Sequence, residues 1–151
     1  SNWIVQGING EWKGKTAGGC KNFPTWTDNP QYKLTFTNLA NTSNNNNNKT
    51  ADIVVVLAQS PKEKYHGIGF YVLEDSANLK DLTLAHDSSN KVVAKSKFVA
   101  AIESSIEVSV PVKASGSGCI IIPATFDPGV EDKFSIFVYS KLNDITLKEE
   151  K

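Results

Sequence analysis

The 151-residue sequence has no methionine and no arginine, and only two cysteines. No methionine stands even at position 1, so the sequence is expected to be a piece of a longer chain, with Ser1-Asn2 read as a cloning remnant. Without arginine, all sixteen cations are lysines, which removes the bidentate guanidinium grip on phosphate or carboxylate. Any anion site must then use lysine point charges or backbone amides. Cys20 and Cys119 cannot make a disulfide framework. With no signal peptide visible, both thiols are expected to be free in a reducing, intracellular setting, the cytoplasm. The longest apolar runs, Ile53–Ala58 and Cys119–Ile122, are strand-sized and far short of the ~20 residues of a membrane span. Sixteen acids balance the sixteen lysines, so the basic excess of a nucleic-acid binder is missing and no nucleic-acid partner is expected.

What is present points to one globular domain built of strands. Hydrophobic residues make up 40% and charged residues 21%, which supports a core. Tyr32, Leu34 and Phe36 alternate with Lys33, Thr35 and Thr37, the pattern of a half-buried strand. Ile106, Val108, Val110 and Val112 alternate likewise, with Pro111 placing that strand at an edge or making its end. Phe134, Ile136 and Val138 alternate again, with Phe137 and Tyr139 on the opposite face. The run Ile53–Ala58 suits a strand covered on both faces, Cys119–Ile122 reads as a buried run, Gly67–Leu73 as a further strand after a turn, and Thr146-Leu147 suggests a last short strand. Helix signals reduce to one or two turns over Ser76–Leu82. Asn41–Thr50, with its asparagine run, is expected to be a long mobile loop. The expectation is an all-β fold, an antiparallel β-sandwich of about eight strands.

Few residues form a chemical constellation. Cys20 and Cys119 could in principle pair with His66 or His86, but neither cysteine opens a helix that would lower its thiol pKa, so no catalytic residue is expected. Ligand spacing for zinc is absent. Asp127, Glu131 and Asp132 around Pro128-Gly129 could offer oxygens to calcium from a turn between strands. Lys62 and Lys64, in the turn after Gln59, are the candidates for an acidic phospholipid surface, with Lys91, Lys95 and Lys97 a second group. Trp12 and Trp26 flank the Gly-rich turn and are expected to pack under it.

A series of short motifs follows in order along the chain: Gly10-Glu11-Trp12, Thr16-Ala17-Gly18-Gly19-Cys20, Asn22, and Trp26-Thr27-Asp28-Asn29-Pro30-Gln31-Tyr32. Val54–Gln59, Gly67-Ile68-Gly69-Phe70-Tyr71, Ser105–Val110, Ile122-Pro123-Ala124-Thr125-Phe126-Asp127-Pro128 and Phe134–Lys141 continue it. Together they resemble the calpain-type β-sandwich, domain III of calpains, over about residues 10–142. The resemblance implies a module that is not itself the protease, because the family's catalytic Cys, His and Asn belong to a separate core. It also implies that Cys20 is the family's structural Gly-Gly-Cys residue. The module is taken to join that core to later domains, to transmit calcium-linked changes and to bind acidic phospholipid. The family's dense acidic loop is replaced here by Asn38–Asp52, where Asp52 is the lone acid.

The resulting expectation is a linker or cloning-derived segment over 1–9, the sandwich over 10–142 with its Asn-rich loop at 41–50, and an extension over 143–151. Its function would be a non-catalytic regulatory and docking module of a calpain-like cysteine protease. Its partners would be the protease core and an acidic phospholipid surface, with calcium as the conceivable cofactor. The alternative is a scaffold or protein-interaction domain in a calpain-like protein without protease activity.

Overall fold

Side chains that alternate along an extended chain can bury only one face, so two such sheets must close on each other. The computed structural model describes residues 3–37, 43–45, 48–75, 92–141 and 144–150, and in it two sheets face each other across a shared core. The described strands are β1 (Trp3–Trp12), β2 (Tyr32–Phe36), β3 (Ser43–Asn45), β4 (Asn48–Gln59), β5 (Gly67–Glu74) and β6 (Val92–Lys95). They continue with β7 (Val99–Ala100), β8 (Glu103–Pro111), β9 (Ser117–Thr125), β10 (Asp132–Lys141) and β11 (Ile145–Glu149). One sheet, A, runs β1-β10-β4, with β8 and β3 both pairing β4. The other, B, runs β11-β2-β9-β5-β6, with β7 also beside β5. Every pairing is antiparallel.

The main core lies between the sheets. Sheet A sends in Trp12, Ile53, Val55, Leu57, Phe134 and Ile136; sheet B meets them with Tyr32, Leu34, Phe36, Phe70, Cys119 and Ile121. The Trp12 and Phe134 rings lie 4.5 Å apart, and the Trp12 indole N–H donates to the Pro123 carbonyl at 3.1 Å. A second, smaller cluster sits on the outer side of sheet B, where Trp26 covers Tyr71, Leu73, Ile120 and Ile122. Both tryptophans are therefore buried near the Gly-rich turn, as expected, but in different cores.

Several expectations change. Eleven strands are described where about eight were expected; the ones no alternation marked are β1 and the short β3, β6 and β7. The linker expected over 1–9 is mostly strand: β1 begins at Trp3 and pairs β10 from Trp3↔Lys141 to Trp12↔Asp132. Ile4 and Ile8 tie it to the core. The extension expected over 143–151 carries β11, whose buried Ile145 and Leu147 close the edge of sheet B against β2. The mobile loop expected over Asn41–Thr50 includes β3 and the first residues of β4, paired Ser43↔Thr50 through Asn45↔Asn48. Backbone pairing asks nothing of the asparagine side chains, so a polar tract can extend a ladder that a buried strand has already started. Pro111 ends β8, an edge strand, as its chemistry requires. The helical turns expected over Ser76–Leu82 lie outside the described residues.

The Gly-rich turn and the segment before β2 are locked together by one side chain. Asn29 is fully buried, and its carboxamide oxygen accepts from the Gly18 N–H at 3.0 Å. Its nitrogen donates to the Gly19 and Trp26 carbonyls at 2.9 and 2.8 Å. Pro30 holds Asn29 extended, at φ −57° and ψ 157°, and so launches β2. The glycines are needed because there is no room for a Cβ: one on Gly18 would strike the Thr25 carbonyl oxygen. Gly19 has φ +77°, and a Cβ there would lie 2.6 Å from the Pro128 nitrogen. The turn is pinned to the β9–β10 connection by Cys20 N–H to Phe126 O at 3.0 Å and Gly129 N–H to Ala17 O at 2.8 Å.

Asn29→Ala strips three buried backbone groups of their side-chain partner, and is expected to lower stability by on the order of 3 kcal/mol. Asn29→Asp, which puts an acceptor against two carbonyls, is expected to cost at least as much. Urea unfolding of the three proteins checks this; midpoints that coincide would refute the role of the carboxamide.

Candidate functional site

Three of the residues singled out from the sequence, Lys62, His66 and Asp132, meet at one end of sheet A, through Gln59. This side chain is buried at the end of β4, and its nitrogen donates to the His66 and Ala101 carbonyls, both at 2.8 Å. Its oxygen accepts from the His66 N–H at 3.3 Å. The bonds fold the 60–66 turn back over the start of β10. Lys62 Nζ then lies 3.0 Å from Asp132 Oδ2, and His66 Nε2 lies 3.2 Å from the same oxygen. Lys62 also donates to the Ser60 carbonyl at 2.6 Å. Burial by itself would raise the Asp132 pKa, but the close Lys62 ammonium, the Lys133 N–H and the charges of Lys62 and His66 outweigh it and hold it below the ordinary carboxylate range.

This clasp changes how the predicted sites read. Lys62 and Asp132, expected in separate roles toward lipid and calcium, are each other's partner. Glu131 accepts from the Gly14 N–H at 2.6 Å. Asp127 is exposed, and its backbone carbonyl accepts from the Thr125 hydroxyl at 2.8 Å. Lys64 is exposed at the tip of the turn. Among the described residues, no three His, Cys, Asp or Glu side chains converge in a way that could hold a metal ion.

Neither thiol stands in a reactive setting. Cys119 is fully buried in the main core, and burial, with a smaller contribution from the charge of Asp75, pushes its pKa up to about 12. Cys20 is buried in the Gly-rich turn. His66 directs Nε2 to Asp132, and His86 lies outside the described residues.

The feature that sequence reasoning missed is the outer face of sheet A. The two continuous apolar runs looked alike but differ in the fold. In β9, Cys119 and Ile121 face the main core and Ile120 and Ile122 face the second cluster, so the run is covered on both sides. In β4, Ile53, Val55 and Leu57 are buried, but Val54 and Val56 are only half-buried on the outside. The expectation that Ile53–Ala58 is covered on both faces is therefore overturned: among the described residues nothing overlies its outer side. Register places Val54 beside Tyr139, Val56 beside Phe137 and Val5 beside Tyr139. Trp3, Val5 and Phe137 are 46%, 49% and 36% exposed. They join into one apolar face across three strands, rimmed by Asp52, Glu107 and Lys141. The available signal was Phe137 and Tyr139, aromatics on the supposedly wet side of an alternating strand.

Comparison with known proteins is consistent along the chain. The profile of the family described as calpain large subunit, domain III, matches residues 8–139. The serine/threonine-protein kinase 4 homolog B of Dictyostelium discoideum is 31% identical over 143 residues, covering 93% of this chain and 11% of that protein. A calpain-like cysteine protease A of the same organism is 34% identical over 151 residues, covering 97% and 22%. Human calpain-9 is 31% identical over 157 residues, covering 95% and 21%. The chain thus spans between 11% and 22% of the length of these relatives. Among solved structures, a chain of the heated Israeli acute paralysis virus particle aligns at a TM-score of 0.48 and 11% identity, covering 99% of this chain and 74% of that one.

Two outcomes are expected from this geometry. Lys62→Ala should lower stability at about pH 7 by about 0.5–1 kcal/mol, the range of a partly exposed ion pair. Because the folded pKa of Asp132 is depressed, its contribution is complete above the unfolded carboxylate range and disappears as pH falls through the folded value. The gap between the two proteins in urea unfolding should therefore narrow in acid; a constant gap would show that Lys62 acts through packing. Separately, Cys119 should resist iodoacetamide in the native protein and react fully on unfolding, as read by peptide mass spectrometry.

Proposed function

Because this chain belongs to the calpain large subunit domain III family, we propose that it is a non-catalytic docking and regulatory module that works in the cytoplasm. In this reading it seats the outer face of sheet A against another domain of its own polypeptide. The observation that carries it is the half-exposed Val54–Val56 face, where a strand of the doubly buried type meets Trp3, Val5, Phe137 and Tyr139 with no cover among the described residues. Contiguous exposed apolar surface of this kind marks an interaction site on a soluble domain. The relatives, several times longer than this chain, have further domains to supply the cover. In a calpain-like protease that domain is the cysteine-protease core.

A second reading has its own support. A relative named as a serine/threonine kinase is as similar to this chain as the calpains are. The sandwich therefore accompanies catalytic units of unrelated chemistry, which favours a scaffold role that does not depend on proteolysis. Both readings share the apolar face and differ in the domain it meets. Acidic phospholipid at Lys62 and Lys64 has weaker support, since Lys62 is held by Asp132. Calcium at Asp127, Glu131 and Asp132 is weaker still, since Glu131 and Asp132 are already engaged.

Hydroxyl-radical footprinting of this chain alone and within its full-length polypeptide tests the docking face. Trp3, Phe137 and Tyr139 are expected to oxidise readily in the isolated chain and to fall to the level of core residues in the full-length protein. Phe137→Lys in the full-length protein should restore oxidation of Trp3. Equal oxidation in both contexts would overturn the proposal, and the domain cross-linked to β10 decides between protease and kinase settings.

A further inference from the structure

Sheet B carries a concave site of different character, independent of the face proposed for docking. A groove of about 770 Å³ runs along its β6–β7 edge, between the Cys20-Lys21-Asn22 turn and Ser96–Phe98. Its charged lining residues are Lys21, Lys95 and Lys97, and among the described residues no acid lines it. In a chain whose sixteen acids match its sixteen lysines, that is a local separation of charge. None of the three is ion-paired with another described residue; Lys21 Nζ lies over the Trp26 ring, 5.7 Å from its centroid.

The floor is aromatic. Phe98 stands 5.7 Å from Tyr71 and 6.2 Å from Phe126, a row of three rings. Phe126 is 46% exposed, whereas Tyr71 is 2% exposed at the bottom. The backbone bearing the lysines is fixed in advance. The Lys21 N–H donates to the Tyr71 hydroxyl at 2.8 Å. Ser96 exchanges two bonds with Phe70, its N–H to the Phe70 carbonyl at 3.0 Å and its hydroxyl accepting from the Phe70 N–H at 2.9 Å. The Lys97 carbonyl accepts from the Ser104 hydroxyl at 2.8 Å.

We infer that this groove binds an extended acidic peptide segment carrying an aromatic or large aliphatic side chain. In an extended chain successive side chains point to opposite faces, so one apolar residue can rest on Phe98 and Phe126 while flanking carboxylates reach the lysine rim. Lysine point charges, rather than arginine forks, make the recognition tolerant of register and sensitive to salt. A recessed floor with cations on its rim fits a strand-like ligand; a flat bilayer would meet protruding lysines and leave the aromatic floor empty.

The test is fluorescence anisotropy of the 151-residue chain with a fluorescein-labelled Glu-Glu-Phe-Glu-Glu peptide. Saturable binding that weakens with salt is expected. Lys21→Gln, Lys95→Gln and Lys97→Gln together should weaken it about tenfold, the sum of three exposed charge pairs. Phe126→Ser should weaken it further, and Lys62→Gln with Lys64→Gln should leave it unchanged. These are exposed or half-exposed positions, and circular dichroism confirms that each variant is folded. No saturable binding, equal binding by the triple variant, or equal binding of a Lys-Lys-Phe-Lys-Lys peptide would overturn the inference. So would phosphatidylserine vesicles that bind through the same lysines when the peptide does not. The docking face is untouched by these substitutions, so either proposal can fail without the other.

Discussion

The buried carboxamide of Asn29 holds together the part of the molecule on which the sandwich is assembled. Its three bonds join the Gly-rich turn to the segment that launches β2. That turn in turn grips the β9–β10 connection through Cys20 and Gly129. The carboxamide supplies one acceptor and two N–H donors at once, a set that neither an ionised aspartate nor a leucine offers. With the turn in place, Trp26 is set over Ile120 and Ile122, and sheet B gains a cover on its outer side.

Sheet A has no such cover among the described residues, and this asymmetry organises the functional argument. Burial of apolar area contributes roughly 25 cal/mol per Å² wherever water is excluded, without regard to which chain supplies the cover. In this sandwich β4, apolar on both sides, is held by its ladders to β10 and β8 and by the buried Ala51, Ile53, Val55 and Leu57. Val54 and Val56 then remain as surface, available to a neighbouring domain. Family membership and the greater length of the relatives agree with that arrangement.

Charge is used in two ways. At the Gln59 end, Lys62, His66 and Asp132 satisfy one another and hold a turn in place. Along the β6–β7 edge, Lys21, Lys95 and Lys97 face a groove that no acid among the described residues lines. Lys62 on the one side and Lys21, Lys95 and Lys97 on the other all lie in turns or short strands, and nothing in their neighbours along the chain distinguishes them. The difference arises from what β10 brings to one turn and what the Cys20 turn fails to bring to the other.

The sequence by itself determined the fold class, because period-two patterns such as Tyr32–Phe36 and Phe134–Val138 can bury their apolar side chains only between facing sheets. It also pointed to the family, through the ordered series of motifs from Gly10-Glu11-Trp12 to Phe134–Lys141 that resembles calpain domain III. It carried no strand signal for β1, β3 or β7, which form through their neighbours' ladders, whereas the last strand expected at Thr146-Leu147 is β11, paired with β2. Only the tertiary structure decided that the Cys119–Ile122 run is sealed on both faces and the Ile53–Ala58 run is not, and that Lys62 belongs to Asp132. Covering and pairing are relations between residues far apart in the chain, and local pattern carries no record of which distant element comes to rest beside it.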